Sequence, residues 1–194
     1  MLKELVAKSR SFRRFDESVE ISHETLVELV DLARHSPSAS NLQGLKFYLA
    51  NAKPQTDLIF ATLKFGGYLR EWGGPAAGER PAAYILILGD DRIKKQFDTD
   101  TGIAAQTMRL GAAEKGLGGC MVSAVKREEL ADALELPAYF EIVLVLALGK
   151  PAETVVIEDL GEEKDIKYYR DAQDVHHVPK RSLDELIVDP SQWS

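Results

Sequence analysis

Apolar residues recur along this chain in two patterns, a helical stripe and a short continuous run. Leu2, Leu5 and Val6 follow the helical spacing and predict a short amphipathic helix over residues 2–8. The clearest stripe is Leu26, Leu29, Val30 and Ala33, with Ser22 placed to cap the helix and Glu24 in its electropositive first turn. Pro37 ends it, because the residue before a proline avoids the helical region. Further helices are predicted over residues 55–64, 101–115 and 126–135. The 101–115 segment is apolar nearly all round (Ile103, Ala104, Ala105, Met108, Leu110, Ala112, Ala113), so it is expected to be buried on several sides.

The continuous runs predict strands over residues 45–50, 83–88, 120–123 and 141–148, and a Gly/Pro-punctuated loop spans 65–81. No internal repeat or low-complexity tract interrupts them. Strands and helices mix without regular β-α-β alternation, which points to an α+β fold rather than a doubly wound parallel sheet. The last quarter has poor apolar periodicity. Between Glu153 and Asp165 six acids (Glu153, Glu158, Asp159, Glu162, Glu163, Asp165) face one base, Lys164. This stretch is expected to pack poorly alone, as a mobile arm or a segment lying over a partner subunit. A short helix over 182–187, capped by Ser182, closes the chain.

Composition narrows the class. At 194 residues with 45% hydrophobic and 28% charged positions, the chain reads as one globular domain over 1–194. The 24 basic and 31 acidic residues leave a net charge of −7, which argues against a nucleic-acid partner, since such binding rests on neutralising phosphates. The start has no apolar segment of signal-peptide length, and the longest strongly apolar run, Ile142 to Leu148, is too short to span a membrane. The single cysteine, Cys120, excludes an internal disulfide and fits a cytoplasmic location. Cys120 itself reads as a small apolar filler. His176 and His177 are adjacent, so an extended segment points them to opposite faces, and no metal site is expected. Trp72, in the Gly-rich loop, is a candidate cover for the substrate side, and Trp193 offers a second flat aromatic face.

Three segments carry candidate chemistry. Ser9-Arg10-Ser11-Phe12-Arg13-Arg14 sets guanidinium forks beside hydroxyls, a combination matched to phosphate oxygens and also to a plain solvated basic turn. Pro37-Ser38-Ala39-Ser40-Asn41-Leu42-Gln43 offers amides with both donor and acceptor, suited to an imide edge; the same residues also serve ordinary turns. Lys180 and Arg181 stand at the start of a predicted helix, where the dipole disfavours cations and a bound anion would relieve the conflict.

In this order and spacing, RSFRRF, PSASNLQ, GERPAAYILIL, DTGIAAQTMRLGAAEKGLGGCMVSAV, EIVLVLALGKPAE and HHVPKRSLDELI resemble the FMN-dependent nitroreductase family over nearly the whole chain. The resemblance implies a central, mainly antiparallel sheet flanked by helices, in an intertwined homodimer with two flavin sites at the subunit interface. It implies that residues 150–194 cross to the partner and that the buried 101–115 helix lies near the dimer axis. By position, Ser9, Arg10, Ser11 and Arg13 would hold the flavin phosphate and reach toward the pyrimidine edge. Pro37, Ser38, Ala39, Ser40, Asn41 and Gln43 would line the isoalloxazine. Met121, Val122 and Ser123 would pass its other side, and Lys180 and Arg181 would meet Arg10 and Arg13 at one phosphate. The implied activity is electron transfer from NAD(P)H through FMN to a small-molecule acceptor such as a nitroaromatic or quinone, by a ping-pong mechanism, with no side chain marked as an obligatory acid or base. A specialised relative (dehydrogenase, dehalogenase or flavin-fragmenting enzyme) and a non-catalytic flavin-binding protein are the alternatives. Two departures from the family pattern are Ser9, where many relatives carry Arg, and Gly44, where many carry Pro, which suggests a looser loop.

Overall fold

The apolar stripe of residues 26–33 forms the helix it predicts, and that helix anchors the core. The structure is a computed structural model that describes residues 1–192. In chain order the first elements are α1 (Leu2–Lys8), β1 (Phe15–Asp16) and α2 (His23–Arg34). Ser22 Oγ accepts the Thr25 N–H at 3.1 Å, and Leu26, Leu29 and Ala33 are buried. Next come β2 (Leu45–Ala50), α3 (Gln55–Ala61), β3 (Ala83–Asp90), α4 (Asp98–Glu114), β4 (Gly118–Val122), α5 (Arg127–Ala133) and β5 (Phe140–Pro151).

The fold is α+β. β2, β3 and β5 lie side by side, and β1 and β4 both pair with the long β5, antiparallel throughout. Every residue of β3 is buried, which is what a continuous apolar run means in a strand covered on both faces. Ile85 and Ile87 join Leu146 and Leu148 in a core closed by Leu26 and Leu29 of α2 and Ala105 and Met108 of α4.

Several boundaries move. The helix expected over 55–64 stops at Ala61. The helix expected over 101–115 starts at Asp98 and ends at Glu114. Within the chain it is buried along a stripe, not all round: Ala104, Ala105, Met108 and Ala112 face inward, Ile103 and Leu110 are half-buried, and Gly102 is exposed. Small residues permit burial on every side, but only the side meeting α2 and the sheet receives it.

Two compact units partition the chain: one comprises Met1–Phe65 and Gly73–Ala152, the other Gly66–Trp72 and the chain from Glu153 onward. The second unit contains more regular structure than its pattern predicts. β6 (Val155–Asp159) runs parallel to β8 (His176–Lys180), and β7 (Tyr169–Arg170) pairs antiparallel on the other side of β8. Its interior is held by ion pairs and rings in place of an apolar stripe. Arg170 Nη2 donates to Glu153 Oε2 at 2.8 Å, with both side chains nearly buried. Tyr168 stacks on His176 at 5.2 Å, and Tyr169 on His177 at 4.8 Å. His176 is buried and His177 half-buried, on opposite faces of β8. His177 bridges Glu158 at 2.8 Å and Asp171 at 3.0 Å. The last helix, α6, covers only Leu183–Leu186 and is capped by Ser182. Trp193 lies outside the described residues. Among the described residues, no helix is long and apolar enough to cross a membrane, and no group of His, Cys, Asp and Glu is placed to hold a metal ion.

Candidate functional site

The turn after α1 is fastened to the start of β4. Ser11 bridges Gly119, and the Phe12 N–H donates to the Gly119 carbonyl at 3.2 Å. Phe12 lies so close to Gly118 that a Cβ there would overlap its ring. Ser9, Arg10, Ser11 and Arg13 therefore stand beside the strand that leads to Met121, Val122 and Ser123. Ser9 and Val122 are buried, Arg10, Ser11, Arg13 and Met121 are half-buried, and Ser123 is exposed.

A further guanidinium, from α4, joins this turn, one that sequence reasoning passed over. Arg109, on α4, donates from Nη2 to the Ser9 carbonyl at 3.3 Å and from Nη1 to Gln106 at 3.3 Å. Its Nε and that of Arg10 are buried without a hydrogen-bond partner. Among the described residues neither Arg10 nor Arg109 pairs with a carboxylate. Burial lowers the pKa of Arg10. Burial also lowers that of Arg109, opposed by Cys120 and reinforced by repulsion from Arg10 and Arg13. Arg109 is repelled by Arg10 and Arg13 at a partly dry spot, and Arg10 and Arg109 keep orphaned donors, chemistry suited to an anion. Arg109 thus reaches the backbone of the turn at Ser9. The signal was present in the sequence: Arg109 has Ala105, Gln106, Ala112 and Ala113 at helical spacing, none of them acidic.

The Pro37–Gln43 loop is anchored elsewhere on the same helix. Ser40, Asn41 and Gln43 adopt left-handed backbone with φ of 51°, 53° and 53°. Such residues persist only where the surroundings over-determine them, and here Asp100 is the anchor. Its carboxylate accepts from Ser38 Oγ at 2.9 Å, from the Ala39 N–H at 2.9 Å and from Lys94 Nζ at 2.8 Å. Burial pushes the Asp100 carboxyl up, but these three donors outweigh it and hold its pKa below the ordinary range. Ser38 also accepts the Gln43 N–H at 3.0 Å, so its hydroxyl is committed to bracing the loop. Gly44 makes room for Lys94, whose Cγ would lie 2.7 Å from a Cβ there. Gly44 thus admits Lys94 as a strut to Asp100. Pro37, Ala39, Ser40, Asn41 and Gln43 remain exposed. Beside them a cleft of about 270 Å³ opens, with Val30, Ala33, Phe47 and Ala104 on its apolar side.

The structure does not bring loop and turn together. Arg109 is nine residues beyond Asp100, about 14 Å along α4 and half a turn round it. The loop after α2 and the turn after α1 thus flank α4 on opposite sides. Lys180 and Arg181 belong to the second unit. Lys180 ends β8, and Arg181 approaches Glu185 at 3.7 Å. The helix they precede has four residues, too few for the dipole argument that singled them out. Trp72, proposed as a cover over substrate, lies under the Arg170 guanidinium at 4.4 Å. Cys120 is a buried residue of β4.

The nitroreductase family profile matches residues 6–150. The chain belongs to the nitroreductase family. Solved structures of similar fold include an FMN complex of a putative nitroreductase from Desulfovibrio desulfuricans, at 22% identity and TM-score 0.71, covering 97% of this chain and 95% of that one. A nitroreductase family protein from Clostridium difficile 630 aligns at 23% identity and TM-score 0.64, covering 77% and 84%. The NADPH:FMN oxidoreductase from Vibrio harveyi, complexed with NAD+, aligns at 21% identity and TM-score 0.64, covering 83% and 74%. At these identities the likeness establishes the fold they share with this family member.

Proposed function

We propose that this nitroreductase-family protein is an FMN-dependent oxidoreductase that moves electrons from NAD(P)H to nitroaromatics, quinones or related small acceptors. The observation that carries the reading is the cluster of Arg10, Arg13 and Arg109, in which two buried Nε–H donors have no partner. A flavin phosphate supplies the missing acceptors and charge, and a neutral cofactor would not. When bound, FMN supplies the hydride and electron chemistry; the protein binds, orients and tunes it. Arg10, Arg13 and Arg109 hold the phosphate, with Ser9 and Ser11 at its side. Met121, Val122 and Ser123 run past one side of the ring, and the exposed Pro37, Ala39, Ser40, Asn41 and Gln43, braced by Ser38, offer polar groups to its edge.

Turn and loop lie on opposite flanks of α4, which supports a site completed by a second copy of the chain. Leu2 and Val6 on α1 and Val27 and Leu32 on α2 are exposed large apolar residues, which self-association would cover. We therefore read the protein as a homodimer in which residues 150–194 reach the partner. The lone cysteine supports a cytoplasmic setting.

The test is steady-state oxidation of NADH and NADPH by the FMN-loaded protein with menadione or 4-nitrobenzoate. Parallel double-reciprocal lines are expected, because donor and acceptor use one site in turn. Bound FMN without turnover would make this a flavin-binding protein, and intersecting lines would refute the ping-pong scheme.

A further inference from the structure

A cleft of about 460 Å³ opens where β2 ends and β3 begins. None of its lining residues belongs to the candidate flavin site. Tyr84 points into it from the sheet face opposite Ile85 and Ile87, hence opposite the core formed with α2 and α4. The cleft lies at the far end of β2 from the Gln43 loop.

Tyr84 is fully buried, yet its hydroxyl has no hydrogen-bond partner. Arg80 lines the same cleft, and its buried Nε also has none. Native structures rarely leave such groups unpaired, and here two donors share one cavity. Arg80 is held in place: its guanidinium lies over Phe60 at 4.4 Å and is only loosely paired with Asp57, at 4.0 Å. Burial pushes the Tyr84 hydroxyl far above its usual titration range, with Arg80 opposing and Glu17 and Asp57 adding to the shift, so the group is a fixed neutral donor.

Two donors, one of them on a planar guanidinium, call for an oxygen acceptor and fit a carboxylate best. The rest of the lining limits what else the ligand carries. Lys53 sits between Glu17 and Asp57 at 3.7 Å from each. Glu20 is exposed at the rim with no ion pair among the described residues. Glu17, Glu20 and Asp57 thus outnumber Lys53 and Arg80 by one negative charge. That balance opposes a simple anion and favours a ligand that also bears an ammonium group.

We propose that this cleft is a second binding site, for a small zwitterion of the amino-acid type, with its carboxylate on Tyr84 Oη and Arg80 Nε and its ammonium toward Glu20. The cleft is of the size that takes small molecules, and Phe60 gives it an apolar wall for a side chain.

Isothermal titration of the full-length protein as purified, with free L-amino acids one at a time, tests this. At least one amino acid is expected to bind, and the analogues lacking its amine or its carboxylate (for L-phenylalanine, 3-phenylpropionate and 2-phenylethylamine) should bind about tenfold or more weakly. Tyr84→Phe and Arg80→Gln should each weaken the amino acid by about tenfold to a hundredfold while leaving FMN binding unchanged. Because its hydroxyl has no partner, Tyr84→Phe should keep or raise the thermal midpoint. No binding by any amino acid overturns the proposal and leaves water as the occupant. Equal binding of the amine-free analogue overturns the zwitterion, and a lowered midpoint in Tyr84→Phe shows the hydroxyl to be bonded within the protein.

Discussion

Asp100→Asn is the sharpest structural perturbation available, because one carboxylate braces a loop containing three left-handed residues. The substitution keeps shape and removes charge. It leaves Lys94, only 11% exposed, facing a neutral amide. Removing one partner of a buried ion pair costs about 3–5 kcal/mol. Lys94 keeps a narrow path to water, so the lower end applies, about 3 kcal/mol. For a chain of this size that lowers the melting temperature by roughly 6–12 °C. Urea unfolding followed by far-ultraviolet circular dichroism measures it directly. Lys94→Met in the same background should recover part of the loss, since it removes the stranded ammonium charge. A cost below about 1 kcal/mol for Asp100→Asn alone would refute the brace, because surface ion pairs are worth no more than that.

Other outcomes follow from the same structure. The hydrogen bonds to Asp171 and then Glu158 raise the pKa of His177 above its ordinary 6.5. Its contribution to stability is therefore full below about pH 6.5 and is lost as pH rises through the raised value. Thermal melting followed by tryptophan emission should give a higher midpoint near pH 6 than near pH 9, and His177→Gln should remove that difference. Gly44→Ala drives a Cβ into the Lys94 side chain at 2.7 Å, so urea unfolding should register a loss of about 1 kcal/mol or more. Sedimentation of the FMN-loaded protein should give a dimer, and a stable monomer with bound flavin would exclude the shared site.

The fold was legible wherever one element decides its own state. Ser22 and the stripe after it define α2, and the unbroken run from Ala83 defines a strand buried on both faces. The second unit was not legible, because its order is pairwise. β7 has two residues and β8 contains Pro179, so neither presents a strand pattern until partners distant in sequence are in place. Its interior depends on Arg170 with Glu153 and on His177 with its two carboxylates, pairings that periodicity cannot display. The candidate site divides the same way. Ser9 to Arg13 and Pro37 to Gln43 stood out by residue type, whereas Arg109 lay inside a helix read for its apolar content and Asp100 lay just before that helix's expected start. What those two do depends on which flank of α4 each one faces.

The central claim is that Arg10, Arg13 and Arg109 form the seat of a flavin phosphate, and fluorescence titration of flavin-free protein with FMN and with riboflavin tests it most directly. FMN should bind far more tightly than riboflavin. Arg109→Met should weaken FMN by about 1.5–3 kcal/mol, roughly tenfold to a hundredfold, while leaving riboflavin unchanged. Equal affinities for FMN and riboflavin, or an Arg109→Met variant that binds FMN as the parent does, would contradict it.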